Sequence, residues 1–140
     1  MKKILFFLIS VLLFSCDKDN QVNNNNPFLP NLNFSISINT SLPTYSSLQF
    51  ASNSVKVDIP GAGARGIIVF NTGSGYVAYD GACPNQDLSS CSTLTLNGIT
   101  ATCPCDSAEY NLFTGQSPGK QYPLKPYTVS ASGTNITISN

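Results

Sequence analysis

Four of the chain's five cysteines fall between Cys83 and Tyr110, in CPNQDLSSCSTLTLNGITATCPCDSAEY, and the chain contains no histidine. They form two boxes, Cys83-Pro-Asn85 with Cys91 following, and Cys103-Pro-Cys105-Asp106, joined by a segment with Asn97-Gly98 at its middle. Clustered cysteines staple loops, exchange disulfides or hold metal. Imidazole takes part in none of them here.

The compartment decides between thiols and disulfides. Lys2 and Lys3 precede an apolar run of 11 residues, Ile4 to Phe14, too short to span a bilayer as a helix, so residues 1–15 are expected to be a signal peptide. Leu13-Phe14-Ser15-Cys16 resembles a bacterial lipobox, which implies acylation of the Cys16 thiol, cleavage before it, and usually acylation of the new amino group. Two or three acyl chains anchor a protein firmly. The expectation is an extracytoplasmic lipoprotein held to the membrane through Cys16, at the outer membrane on its periplasmic or surface face. Asp17 and Asp19 bear a weak likeness to the acidic signals that send some Bacteroidetes lipoproteins to the cell surface, and read equally well as a solvated linker start.

Without Lys2 and Lys3, five basic residues face seven acidic ones, a net charge of −2. Nothing in that balance attracts nucleic acid or an anionic lipid surface. The expected partners are the membrane, through the lipid, and an envelope protein. Export places the remaining cysteines in an oxidising environment, where an even set is normally paired. Four cysteines allow three connectivities, and the spacing alone leaves all three open.

Residues 16–33 continue with DKDNQVNNNNPFLPNLN after Cys16, a polar, Asn-rich stretch expected to be a tether. Its seventeen residues after the cysteine would reach about 20–25 Å in a flexible regime. From Phe34 the hydrophobic period becomes two: Phe34, Ile36 and Ile38 alternate with polar residues, and Val55 and Val57 flank Lys56. The continuous run Ile67 to Phe70 reads as the most buried strand. Tyr76 to Tyr79 follows a Gly-rich turn, Asn97-Gly98 is expected to turn Leu94–Leu96 back on Ile99–Thr102, and Ser132-Gly133-Thr134 to join the last two strands. No amphipathic helix is visible after the signal peptide. Residues 34–140 therefore read as one small antiparallel all-β domain.

In order, the second half shows a strand, Cys83-Pro, a hairpin, Cys103-Pro-Cys105-Asp106, then Tyr110, Thr114-Gly115 and Leu124-Lys-Pro-Tyr127. This succession resembles the Rieske iron–sulfur domain, in which a Cys-x-His box and a Cys-x-x-His box on two loops hold a [2Fe–2S] cluster, followed by an aromatic residue, a Thr-Gly turn and a Leu-x-x-Tyr strand. The resemblance implies a Rieske-like antiparallel sandwich or barrel with a two-loop tip. It places Cys83 and Cys103 at the two cysteine ligands, and Asn85 and Asp106 where the two histidine ligands belong.

That departure governs the chemistry, because two imidazoles on the outer iron set the high potential of a Rieske centre. An amide is a poor iron ligand and a single carboxylate leaves the site weak, so no cofactor is expected. Ser107 and Ala108 likewise replace the glycine and hydroxyl that support the cluster in respiratory members. Those members carry one further cysteine in each loop, joined as a disulfide. By this likeness Cys91 pairs with Cys105, although Cys91 lies three residues later than the family position, and the former ligands Cys83 and Cys103 are left to pair with each other. Each bridge would contribute about 3 kcal/mol. The expected function is a disulfide-stapled binding or structural module without enzymatic activity. The alternative is a Rieske-type electron carrier with non-standard ligands, and therefore a [2Fe–2S] cofactor.

Two sharper readings use the same residues. Cys103-Pro-Cys105 is a candidate for thiol–disulfide exchange, against which the charge of Asp106 acts by raising a thiol pKa. Cys83, Cys103 and Asp106 are a candidate metal site, for zinc, if the thiols are reduced. Gly61-Ala-Gly63 and Gly73-Ser-Gly75 open no helix and read as turns, and Asp80 and Asp87 have no partner acid at a recognisable spacing.

Overall fold

The computed structural model describes residues 25–140; the expected signal peptide, Cys16 and the first part of the tether lie outside the described residues. Among the described residues nine strands form, β1 (Ser35–Asn39), β2 (Ser54–Val57), β3 (Ile67–Asn71), β4 (Tyr76–Asp80), β5 (Thr95–Asn97), β6 (Thr100–Thr102), β7 (Glu109–Asn111), β8 (Pro126–Ser132) and β9 (Asn135–Ser139). Six of them make one curled antiparallel sheet in the order β1-β9-β8-β4-β3-β2, and β5-β6-β7 make a small second sheet. The curl passes through β8. Its Tyr127 and Pro126 pair with Ala78 and Tyr79 of β4, while Thr128 to Ser132 pair with β9.

The unbroken apolar run in β3 follows from its place between two cores. Ile68 and Phe70 point to a cluster with Tyr79, Cys83, Leu94, Cys103, Tyr110 and Leu124, between the main sheet and the small one. Ile67 and Val69 point the other way, to Leu48, Val57, Ala78, Tyr127, Ile136 and Ile138. All four side chains are fully buried. A strand covered on both faces has no solvent side on which a polar residue is favoured. β1 has one covered face, so it alternates: Ile36 and Ile38 lie opposite Ile138 and Ile136.

Three local features differ from expectation. Asn97 pairs with Thr100 in the β5–β6 hairpin, so the turn consists of Gly98 and Ile99 rather than Asn97 and Gly98. Only Gly98 of that turn has positive φ, +60°, which matches a II′ turn with glycine at its first central position. A seven-residue 3-10 helix, Pro43–Gln49, follows β1 and buries Leu48. It is too short to show helical periodicity, and the backbone carbonyl of Leu48 holds it to the sheet by accepting from Asn71 Nδ2 at 2.8 Å and the Tyr76 hydroxyl at 3.2 Å.

The third difference is the end of the tether. Residues 25–33 were expected to stand off the domain, yet Leu29 is buried and Phe28 meets the ring of Tyr122 edge-on at 5.9 Å. Lys125, itself buried, donates to the Pro30 carbonyl and to Asn31 Oδ1, both at 2.7 Å. Asn26 Nδ2 donates to the Pro84 carbonyl at 2.8 Å. Two apolar side chains, a buried ammonium and the Asn26 amide fasten a strap that composition alone reads as solvated.

Candidate functional site

The two cysteine boxes meet at one end of the molecule. The first lies in the loop after β4, which closes on itself through Cys83 N–H to the Ser92 carbonyl at 2.8 Å and Leu94 N–H to the Gly81 carbonyl at 2.8 Å. Ser92, fully buried, accepts from Ser89 N–H at 2.8 Å and donates to the Ser89 carbonyl at 2.9 Å. The second box follows β6 and turns through Ser107 N–H to the Cys103 carbonyl at 2.8 Å. Ser107 has φ +60°, the left-handed region in which glycine is the unstrained residue.

Asp80, at the end of β4, fixes the entry to the first loop. Its fully buried carboxylate accepts from Ala64 N–H at 2.7 Å, Arg65 N–H at 3.3 Å, Ala82 N–H at 2.8 Å and the Tyr127 hydroxyl at 2.6 Å. Four donors compensate the lost hydration of the ion. The Tyr127 phenol is pushed far up, first by burial and then by the Asp80 charge. Spacing in the sequence assigned Asp80 no partner; the only local signal was an acid beside Gly81 at a strand end.

Cys83 is joined to Cys103 with a Cα–Cα distance of 5.6 Å, and Cys91 to Cys105 with 5.1 Å. The two bridges differ in access. Cys83 and Cys103 are 1% and 0% exposed, whereas Cys91 is exposed and Cys105 half-buried. The sulfurs of Cys83, Cys103 and Cys105 nevertheless lie within 4.8 Å of one another. Asp106 is not part of that group, so the candidate trio of Cys83, Cys103 and Asp106 is not the set of donors that the fold brings together.

Asn85 and Asp106 are both engaged within the loops. Asn85 Nδ2 donates to the Tyr122 carbonyl at 2.7 Å and to the Tyr110 hydroxyl at 2.9 Å, and its Oδ1 accepts from Tyr122 N–H at 2.9 Å. The Asp106 carboxylate receives the Lys120 ammonium at 2.6 Å and the Ala108 N–H at 3.0 Å. The hydrogen bond from Lys120 holds the Asp106 carboxyl below its usual range, and the same contact raises Lys120.

These four positions do not fit a [2Fe–2S] cluster as they stand. The sulfurs of Cys83 and Cys103 are bonded to each other, and the other two positions offer an amide and a carboxylate, each already partnered, in a chain without imidazole. Thiolate and imidazole are the donors such a centre requires.

No protein-family model matches the chain and no curated protein matches it. Solved structures do. The chain is similar to the cyanobacterial plasma membrane Rieske protein PetC3 from Synechocystis, at 22% identity over 75% of this chain and 99% of that one, with a TM-score of 0.54. It is also similar to the apo form of a quaternary ammonium Rieske monooxygenase, CntA, at 15% identity over 77% of this chain and 32% of that one, with a TM-score of 0.51. The chain thus has a Rieske-like β fold, and the two cysteine loops form the tip of that fold.

Proposed function

We propose that this chain is a cell-envelope lipoprotein whose Rieske-like domain has lost its cluster and serves as a disulfide-stapled binding module, without enzymatic activity. The observation that carries the reading is the state of the two histidine positions. Asn85 joins the first loop to the Tyr122 backbone and Asp106 joins the second to Lys120, so both side chains now hold the tip together. Two disulfides span the same tip.

Acylation of Cys16, with residues 1–15 removed, would supply the anchor, and the strap bears on where the tip then sits. Asn26 is fastened to Pro84 in the first cysteine loop, and ten residue steps separate it from Cys16. That segment spans at most about 35 Å, which keeps the tip close to the bilayer and favours a membrane-proximal envelope protein as partner.

The test is one aerobic preparation of the full chain. No iron, no charge-transfer absorption and no free thiol among Cys83, Cys91, Cys103 and Cys105 are expected. Bound iron with visible charge-transfer bands would overturn the reading in favour of the electron carrier. For the anchor, Cys16→Ala is expected to move the protein out of the membrane fraction, and unchanged fractionation counts against lipidation.

A further inference from the structure

We infer that the tip is a disulfide relay, in which a dithiol that reduces the exposed Cys91–Cys105 bridge passes its electrons to the buried Cys83–Cys103 bridge. The inference rests on the reading that all four cysteines are paired rather than metal-bound.

Access sets the direction. Cys83 and Cys103 are 1% and 0% exposed, out of reach of an external thiolate, while Cys91 is open to solvent. Cys105 stands between them: bonded to Cys91, with its sulfur within 4.8 Å of both buried sulfurs. The charge of Asp106, which would oppose a thiolate at Cys105, is offset by Lys120 at 2.6 Å. The Ser89 hydroxyl lies 3.3 Å from Cys91 Sγ and 3.7 Å from Cys105 Sγ, placed to donate to either sulfur as it leaves. Gln86 Nε2 donates to Cys103 Sγ at 3.4 Å. Of the buried pair, Cys103 is therefore the better leaving group, since a donor at the departing sulfur stabilises its thiolate.

The steps balance. One thiolate of the dithiol attacks Cys91 Sγ, the Cys91–Cys105 bond breaks and Cys105 leaves with the electron pair. The Cys105 thiolate attacks Cys83 Sγ, the Cys83–Cys103 bond breaks and Cys103 leaves as thiolate. The second thiol of the dithiol then displaces Cys91 and closes the dithiol's own disulfide. The dithiol has lost two electrons and two protons, and the protein has gained them as thiols at Cys91 and Cys103 while keeping one bridge, Cys83–Cys105. Holding the sulfurs together replaces a bimolecular encounter by an intramolecular one, so the second step outruns attack by a second reductant.

The experiment treats the oxidised full chain with one equivalent of dithiothreitol, traps thiols by rapid alkylation and maps labels and crosslinks by mass spectrometry. Labels on Cys91 and Cys103 with a Cys83–Cys105 crosslink are expected. Labels on Cys91 and Cys105 with Cys83–Cys103 intact, any other pair, or no labelling overturns the relay. A second arm needs no reductant: Cys91→Ser frees Cys105, and in that variant label on Cys103 with a Cys83–Cys105 crosslink is expected, whereas label confined to Cys105 overturns the relay. Gln86→Leu should lower the Cys103-to-Cys105 labelling ratio about tenfold, the size of one hydrogen bond to a charged group; an unchanged ratio removes the argument that Cys103 is the favoured leaving group. Iron in the preparation would instead undo the underlying reading, so the two failures are distinguishable.

Discussion

Asn85 reads both backbone groups of Tyr122, donating to its carbonyl at 2.7 Å and accepting from its N–H at 2.9 Å, across 37 residues of chain. The same amide donates to the Tyr110 hydroxyl at 2.9 Å. Replacing Asn85 by leucine leaves a carbonyl, an N–H and a hydroxyl without these partners in a half-buried site. Asn85→Leu is expected to cost about 2–3 kcal/mol, read as a fall in denaturant midpoint at unchanged slope. A change below about 0.5 kcal/mol would mean that water replaces the amide and that Asn85 does not hold the tip.

Asp106 and Lys120 make a pH-dependent version of the same link. The folded-state pKa of Asp106 lies below its ordinary 3.8, so its contribution is complete above that value and is lost as pH falls through the lower folded one. Lys120 is raised above 10.5, so its contribution is present below 10.5 and lost as pH rises through the folded value. Lys120→Ala should therefore lower stability at neutral pH and converge with the parent protein in acid below pH 3.8. Because both side chains are partly exposed, the effect is small and fades with salt. A stability difference that persists unchanged into acid would assign it to packing by the lysine stem.

Three buried phenols make the fold sensitive to alkali. Tyr79 and Tyr110 are raised above 10.0 by burial, and Tyr127 by burial and then by Asp80. A raised phenol binds its proton more tightly when folded, so stability is complete below pH 10.0 and declines as the unfolded chain ionises above it. Phenolate absorbance should rise together with loss of structure for these three tyrosines, and Tyr127→Phe should shift unfolding while also removing a donor from Asp80. Titration of all tyrosines ahead of unfolding would contradict their burial.

The strands were legible wherever one physical rule decided them. Ile36 and Ile38 alternate because β1 has one covered face, and Ile67 to Phe70 run unbroken because β3 has two. The β5–β6 turn lies one residue later than the Asn97-Gly98 pair suggests, because that pair also suits a turn that needs two positive φ values and only the register with Thr100 separates the two. The order of landmarks along the second half revealed the fold at the level its structural neighbours share. What Asn85, Asp80 and Lys125 do was not legible, because each has a partner far along the chain, Tyr122, Tyr127 and Pro30, at 37, 47 and 95 residues. A side chain's hydrogen bonds at that range depend on the folded arrangement and leave no local periodicity.

The strap is the clearest such case. Leu29 is 4% exposed, and Leu29→Ala is expected to cost about 2 kcal/mol, at the low end for a buried leucine because the site borders solvent. A chain beginning at Phe34 loses Leu29, Phe28 and the acceptors of Lys125 together, and should melt lower than one beginning at Asn25. Equal melting temperatures would mean that the strap contributes position and no stability.

The two bridges close segments of similar length, with sequence separations of 20 and 14, so chain entropy assigns each about 3 kcal/mol and barely separates them. Burial separates them. Replacing Cys91 and Cys105 together by alanine removes an exposed crosslink and should cost about 3 kcal/mol or somewhat less. Replacing Cys83 and Cys103 together also empties sulfur volume from the core beside Phe70, Leu94 and Tyr110, adding about 1–2 kcal/mol of lost packing. The second double variant should therefore be the less stable by that margin in denaturant titration. A reversed order would mean that the core closes over the missing sulfurs and that the exposed bridge alone holds the two loops together.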